Sequence, residues 1–237
     1  MRWTVGLMLL VLFLLVAGCV RAVPDPRPVA QPADSRESAQ LAAAVDRYLM
    51  PKKPYRFVLK VAVEGGAPAS AMGSGSEGRY FVGTVTGRDW TITGRLNGQT
   101  YHLVSRGGIL TLRMAGREIL VPPSVHGLFS PRDHLSVVRR YLDRATPTRD
   151  VPATGRAVPA VRVDVPPEDV AAMLRRALGP AFQGRVALAQ AKDRARVTYV
   201  LGVDPHNARV ALLRVIVLFA DPSNPVQHVL EYRFLEG

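Results

Sequence analysis

From Tyr55 to Glu64 every second residue is apolar: Tyr55, Phe57, Leu59, Val61 and Val63 alternate with a face that carries Arg56 and Lys60. A period of two predicts a strand with one buried side. Similar runs follow at Arg79–Thr86, Trp90–Leu96, Gln99–Ser105, Ile109–Met114 and Arg117–Val121. Asn97-Gly98, Gly107-Gly108 and Ala115-Gly116 separate the later ones. Two-residue turns of this kind make neighbours in sequence pair antiparallel, so the segment reads as a meander. A Gly/Ala/Ser-rich loop, Gly65–Gly78, precedes it.

The period changes to that of a helix in three places. Across Ser35–Met50, Leu41, Ala44, Val45, Tyr48 and Leu49 share one face; Asp34 and Glu37 have capping-box spacing, and Pro51 and Pro54 end the run. A second helix opens at Ser130 as N-cap, with Pro131 at the first position and Asp133 near the positive end of the dipole. Leu135, Val138 and Leu142 form its stripe. The third is expected over Pro166–Leu178, with Glu168 and Asp169 in its first turn, Arg175 and Arg176 near its end, and Gly179-Pro180 as the stop. Its apolar face is Val170, Met173, Leu174, Ala177 and Leu178. Between the second and third helices the sequence predicts a polar loop at 145–156, containing Pro147 and Pro152, and then a strand at Ala157–Val165.

The last third returns to strands, expected at Arg185–Ala189, Arg196–Asp204, Ala208–Ala220 and Val226–Leu235. The strand from Ala208 is apolar on both sides. Ala211, Leu213, Val215, Val217 and Phe219 form one face; Val210, Leu212, Ile216 and Leu218 form the other, where Arg214 is the one charge. Antiparallel sheets commonly leave one face wet, so this strand is expected to be covered on both.

The N-terminus follows none of these patterns. Met1-Arg2 is followed by an apolar stretch from Val5 to Val16 and then by Ala17, Gly18 and Cys19, the one cysteine of the chain. This is the layout of a secretory signal. Val16-Ala17-Gly18-Cys19 resembles the bacterial lipobox, which implies cleavage before Cys19, a diacylglyceryl thioether on its sulfur, and a mature protein held to a membrane outside the cytoplasm. Three other readings are an uncleaved anchor, an ordinary signal peptide with Cys19 nearby, and a structural or reactive thiol. Trp3–Val20 lies at or below the lower limit of about 17–25 residues for a spanning helix. Pro24, Pro26, Pro28 and Pro32 then favour an extended, semi-rigid spacer. The expected division is a signal peptide at 1–18, a tether at 19–34 and one domain at 35–237.

The formal charge is +12 over 237 residues. The arginines are scattered among apolar residues and no zinc spacing occurs, so nucleic acid is not an expected partner. An anionic bilayer surface suits the charge better; an arginine-rich soluble surface explains it equally well. With Cys19 lipidated no disulfide can form, and a hydrophobic core must hold the fold.

The order of helix, strand, meander, helix, strand, helix and terminal antiparallel strands resembles the LolA/LppX superfamily of exported lipid-binding proteins and lipoproteins. The features that carry the resemblance are Ser35–Met50 before Tyr55–Glu64, the meander with Asn97-Gly98, Pro166–Leu178 with its preceding strand, and the turn Val203-Asp204-Pro205-His206-Asn207-Ala208 before a long strand. It implies an α+β fold: a strongly curved antiparallel half-barrel with about three helices on its concave face and an apolar cavity between. The tryptophan expected near 109–118 is missing and Trp90 lies earlier, so no ligand residue carries over. Independently, aromatics are only 7% of the chain and many apolar residues are Ala and Val. Such small side chains leave room for acyl chains at about 0.8 kcal/mol per buried methylene. A core simply filled by small residues is the competing reading. The candidate lining is Leu135, Val138, Leu142, Val170, Leu174, Leu213, Val215 and Val217.

No catalytic constellation stands out. Gly73-Ser74-Gly75-Ser76 is not a nucleophile elbow, and the histidines at 102, 126, 134, 206 and 228 are dispersed, without metal-ligand spacing. Glu168 and Asp169 are explained by the helix dipole. The sequence therefore points to a non-catalytic, cofactor-free lipoprotein that binds a lipid or other amphiphile. The alternative is an interaction or sensor lipoprotein that uses the same scaffold to contact an envelope protein.

Overall fold

The structure is a computed structural model that describes residues 35–64, 79–96, 98–121, 129–153, 155–170, 173, 195–219 and 226–235. The signal, lipobox and tether, the Gly65–Gly78 loop, the expected strand Arg185–Ala189 and most of the third helix lie outside these residues, Leu174 included. Residues 167–170 and Met173 are helical, at the place expected for that helix.

Two α-helices are described in full: α1 (Ser35–Leu49) and α2 (Pro131–Arg140), the latter followed by a 3-10 turn at Leu142–Arg144. Eleven strands are described: β1 (Tyr55–Glu64), β2 (Arg79–Thr86), β3 (Asp89–Leu96), β4 (Gln99–Arg106), β5 (Ile109–Met114), β6 (Arg117–Val121), β7 (Thr146–Ala153), β8 (Arg156–Asp164), β9 (Ala195–Asp204), β10 (Arg209–Phe219) and β11 (Val226–Leu235). They form one open antiparallel sheet in the order β6-β5-β4-β3-β2-β1-β11-β10-β9-β8-β7. Two runs of sequential neighbours, β1–β6 and β7–β11, are joined through β1 and β11, whose register runs from Arg56↔Leu235 to Glu64↔Gln227.

The tight turns follow from local chemistry. Gly107 and Gly108 have φ of 56° and 82°, and Ala115 and Gly116 have 48° and 73°. Positive φ at both central residues is the geometry whose twist matches the flanking strands. At α2 the Ser130 hydroxyl accepts from the Asp133 N–H at 3.3 Å and Pro131 opens the helix, as expected. The helix stops at Arg140, so Leu142 reaches the core from the 3-10 turn instead.

One face of the sheet packs against the helices. Leu41, Ala44 and Val45 of α1 and Leu135 and Val138 of α2 meet Phe57, Leu59, Tyr199, Leu213 and Tyr232 in the main core. Arg139 of α2 pairs with Asp46 of α1 at 3.0 Å, and the Tyr48 hydroxyl donates to the Val210 carbonyl at 3.2 Å, tying α1 to β10.

Two expectations are corrected here. Residues 145–156 are not a polar loop: Thr146–Ala153 is the edge strand β7, paired to β8. An edge strand is bonded on one side only, so Pro147 and Pro152 can lack an N–H without breaking the ladder. In β10 the register shifts between Val210 and Leu212. This bulge sends Val210 into the main core with Leu213 and Val215, while Ala211 joins Leu212 on the other face. A period-two reading assigned the first two residues to the wrong sides because a bulge inserts one residue without a partner.

On that other face Ala211 and Leu212 pack with Val151 and Ala153 of β7 and Val158 and Ala160 of β8, forming a second, smaller core. Gly202 lets this happen: a Cβ there would lie 2.8 Å from Val151 Cγ2. Both faces of β10 are thus covered at its start. Further along, Ile216 is only half-buried.

Candidate functional site

The main core face of the sheet is the candidate site. Strand alternation aims Tyr55, Phe57 and Leu59 of β1, Tyr199 and Leu201 of β9, Leu213 and Val215 of β10, and Tyr232 and Phe234 of β11 at the helices, all of them buried. The candidate lining residues fall into the same body: Leu135, Val138, Leu142, Val170, Leu213 and Val215 are buried in it, and Val217 packs against it half-buried. The structure therefore brings together seven of the residues named from sequence.

The core is not purely apolar. His134 Nδ1 lies 3.2 Å from the Tyr199 hydroxyl, and the His134 ring also sits tilted against Tyr232 at 5.7 Å between centroids. Phe57 packs on Tyr232 at 5.7 Å, and Tyr48, Tyr55 and Phe234 form a second aromatic group. The hydroxyls of Tyr55 and Tyr232 are shielded from solvent and have no hydrogen-bond partner among the described residues. Burial raises the pKa of Tyr55, Tyr199 and Tyr232 above the usual tyrosine range, so all three are neutral hydroxyls that can donate.

At the opposite end of the same face stands Arg79. It is opposite Val61 in the β1–β2 register and two residues from Phe81, both packed on the core. Its Nη1 is shielded and has no hydrogen-bond partner among the described residues. His228, opposite Val217, lies on this face too, and burial lowers its pKa.

The outer face of the central strands is built differently. Glu231 accepts from Arg214 Nη2 at 2.6 Å and from Arg233 Nη2 at 2.8 Å, although its own side chain is buried. Burial alone would raise its pKa; the hydrogen bonds and charges of the two arginines outweigh it and leave the carboxyl below the usual range. A groove of about 270 Å³ runs beside this cluster, lined by Val58, Lys60, Tyr80, Glu231, Arg233 and Leu235. Tyr80 is 60% and Val82 is 44% exposed here.

Sequence reasoning passed over Arg79, Tyr199 and Tyr232, and considered His134 only as one of five dispersed histidines. The signal for Arg79 was present: it shares strand parity with Phe81 and Val85. Among the described residues no group of three His, Cys, Asp or Glu side chains could hold a metal ion, and no helix is long and apolar enough to cross a membrane.

No family model and no curated protein sequence matches the chain. In structure it is similar to the crystal structure of LprF from Mycobacterium bovis, with 13% identity, a TM-score of 0.41, and coverage of 84% of this chain and 92% of that one.

Proposed function

We propose that this chain is a lipid-anchored extracytoplasmic protein that holds a lipid or other amphiphile between its helices and the core face of its sheet. The anchor is Cys19, with Val16, Ala17 and Gly18 as the recognition sequence and residues 19–34 as the tether; residues 35–237 form the binding domain. The sheet acts as a half-barrel whose concave side is the core face, lined by the seven residues described above.

The observation that carries this reading is the set of shielded polar atoms on a largely apolar face: the hydroxyls of Tyr55 and Tyr232 and Nη1 of Arg79 have no hydrogen-bond partner among the described residues. Buried polar groups are almost always hydrogen-bonded, and an unpaired one costs on the order of 1–3 kcal/mol. An amphiphile supplies both what these groups lack, in its ester and headgroup oxygens, and what the surrounding side chains favour, in its acyl chains. The binding is non-covalent and requires no catalytic group.

Native mass spectrometry of the full chain extracted from its own membrane tests the proposal. Co-purifying lipid in stoichiometric amount is the expected result; a ligand-free protein that also takes up no added lipid refutes it. The exposed Tyr80 and Val82 beside the outer groove favour a second reading, in which the scaffold contacts an envelope protein. Crosslinking from Tyr80 in cells to one membrane protein, with no lipid in the core, supports that reading instead.

A further inference from the structure

We infer that Arg79 is the headgroup-recognition residue of the interior, and that the ligand is an amphiphile with an anionic headgroup, a phosphate or a carboxylate. The inference deepens the amphiphile reading and rests on it.

Arg79 is half-buried, but its Nη1 is shielded from solvent, and a guanidinium stays charged, so this end of it carries charge and N–H donors into its surroundings. Arg79 is placed at a position where a β-strand directs its side chain onto the core face, opposite Val61 and in step with Phe81. The other residues that share that end of the face are apolar or uncharged: Leu230 pairs with Val61 across β1–β11, Val217 pairs with His228, and burial disfavours the charged form of His228. Among the described residues of the sheet, the acidic side chains near this region lie on the other face. Asp89, Glu118, Asp164 and Glu231 follow the opposite strand parity, and three of them are bonded to outer-face arginines: Glu118 to Arg113, Asp164 to Arg162, and Glu231 to Arg214 and Arg233. Asp133, at the start of α2, influences Tyr55 and Tyr232, at the other end of the face.

The contrast with Glu231 shows what is missing. There a buried charge is answered by two opposite charges with short hydrogen bonds; at Arg79 Nη1 no answering group stands among the described residues. Breaking or omitting the partner of a buried charge is strongly destabilising, and a guanidinium with free N–H donors matches the geometry of phosphate and carboxylate. From Arg79 the face runs past Val61, Leu59 and Phe57 to Tyr55, six residues of strand and about 20 Å. This apolar row is about as long as an acyl chain, with a cation at one end and neutral tyrosine hydroxyls at the other.

The test uses the full chain, stripped of bound lipid and titrated with palmitoyl lysophosphatidate, with uncharged monopalmitoylglycerol, and with inorganic phosphate alone. Arg79→Leu is expected to weaken lysophosphatidate about tenfold or more and to leave monopalmitoylglycerol within twofold, since only the charged headgroup would lose a charge-assisted hydrogen bond. Arg79→Lys should retain part of the affinity. Arg79→Gln, which keeps polarity and most of the volume, replaces the leucine variant if that one fails to fold. Equal loss for both lipids, or no loss for either, overturns the role of Arg79 and leaves the amphiphile reading standing. Inorganic phosphate binding as tightly as lysophosphatidate overturns the amphiphile as source of the anion. If neither lipid binds the unaltered protein, both readings fall together. In the lipid-free state Arg79→Leu should melt at or above the temperature of the unaltered protein; a lower melting temperature overturns the claim that the guanidinium lacks a partner.

Discussion

The ring of Phe57 lies over Gly83, the residue opposite it on the neighbouring strand, and a Cβ at Gly83 would fall 2.1 Å from Phe57 Cζ. The same arrangement recurs one strand further on, where a Cβ at Gly94 would fall 2.1 Å from Phe81 Cδ1, again between partners in register. Two phenylalanines thus lie flat across the sheet because the adjoining strands offer no side chain at those points. Gly83→Ala should force the fully buried Phe57 ring out of its position and destabilise the protein by about 1–3 kcal/mol, the usual cost of overpacking. Urea denaturation checks this: the midpoint should fall with the slope unchanged. Gly83→Ala combined with Phe57→Leu should recover part of the loss, because the two residues occupy the same space.

Glu231 gives the fold a defined acid sensitivity. Its folded pKa lies below the ordinary carboxylate value, despite burial that acts the other way, because Arg214 and Arg233 stabilise the charged form. A carboxylate of lowered pKa contributes stability that is fully present above its unfolded value of about 4.3 and is lost as pH falls through the lower folded value. Glu231→Gln should cost about 1.5–3 kcal/mol at neutral pH and should flatten the acid limb of stability against pH. An unchanged acid limb in the variant, followed by circular dichroism, contradicts this account.

Tyr199 and Tyr232 are both buried, yet their hydroxyls differ in what surrounds them. That of Tyr199 reaches His134, whereas that of Tyr232 has no hydrogen-bond partner among the described residues. In lipid-stripped protein Tyr199→Phe should lower stability by about 1 kcal/mol, and Tyr232→Phe should be neutral or stabilising. Thermal unfolding of the two variants side by side separates these outcomes. If the Tyr232 hydroxyl meets a ligand oxygen, Tyr232→Phe should lose part of the melting-temperature gain that added lipid gives the unaltered protein.

Cys19 makes a prediction independent of the fold. Cys19→Ala should abolish incorporation of labelled fatty acid and release the protein from the membrane fraction, while residues 35–237 retain their strand content by circular dichroism. Labelling that survives the substitution would refute the anchor.

The strands were legible wherever pairing was local and alternation unbroken. Tyr55–Glu64, Arg79–Thr86, Ile109–Met114, Arg117–Val121 and Val226–Leu235 begin and end where the pattern predicts, and the apolar faces of α1 and α2 are the buried ones. β7 was not legible, because prolines at 147 and 152 look like a loop until the position at the sheet edge makes them harmless. The bulge at Val210 was hidden for a similar reason: it shows as a slip in the pairing with β9, which alternation along β10 does not mark.

By itself, then, the chain's sequence determined the period of most of the described elements, the tight turns of the meander and the start of α2, since these depend on dihedral preferences and side-chain spacing within a few residues. Only the tertiary structure decided that β1 meets β11, which joins two runs of sequential strands into one sheet. It also decided that Arg79, at the start of a strand, faces the core with no hydrogen-bond partner for its Nη1 among the described residues, while Glu231 on the other face has two arginines. Those outcomes depend on which distant segments share a face, and alternation along one strand specifies sides without saying what will stand across from them.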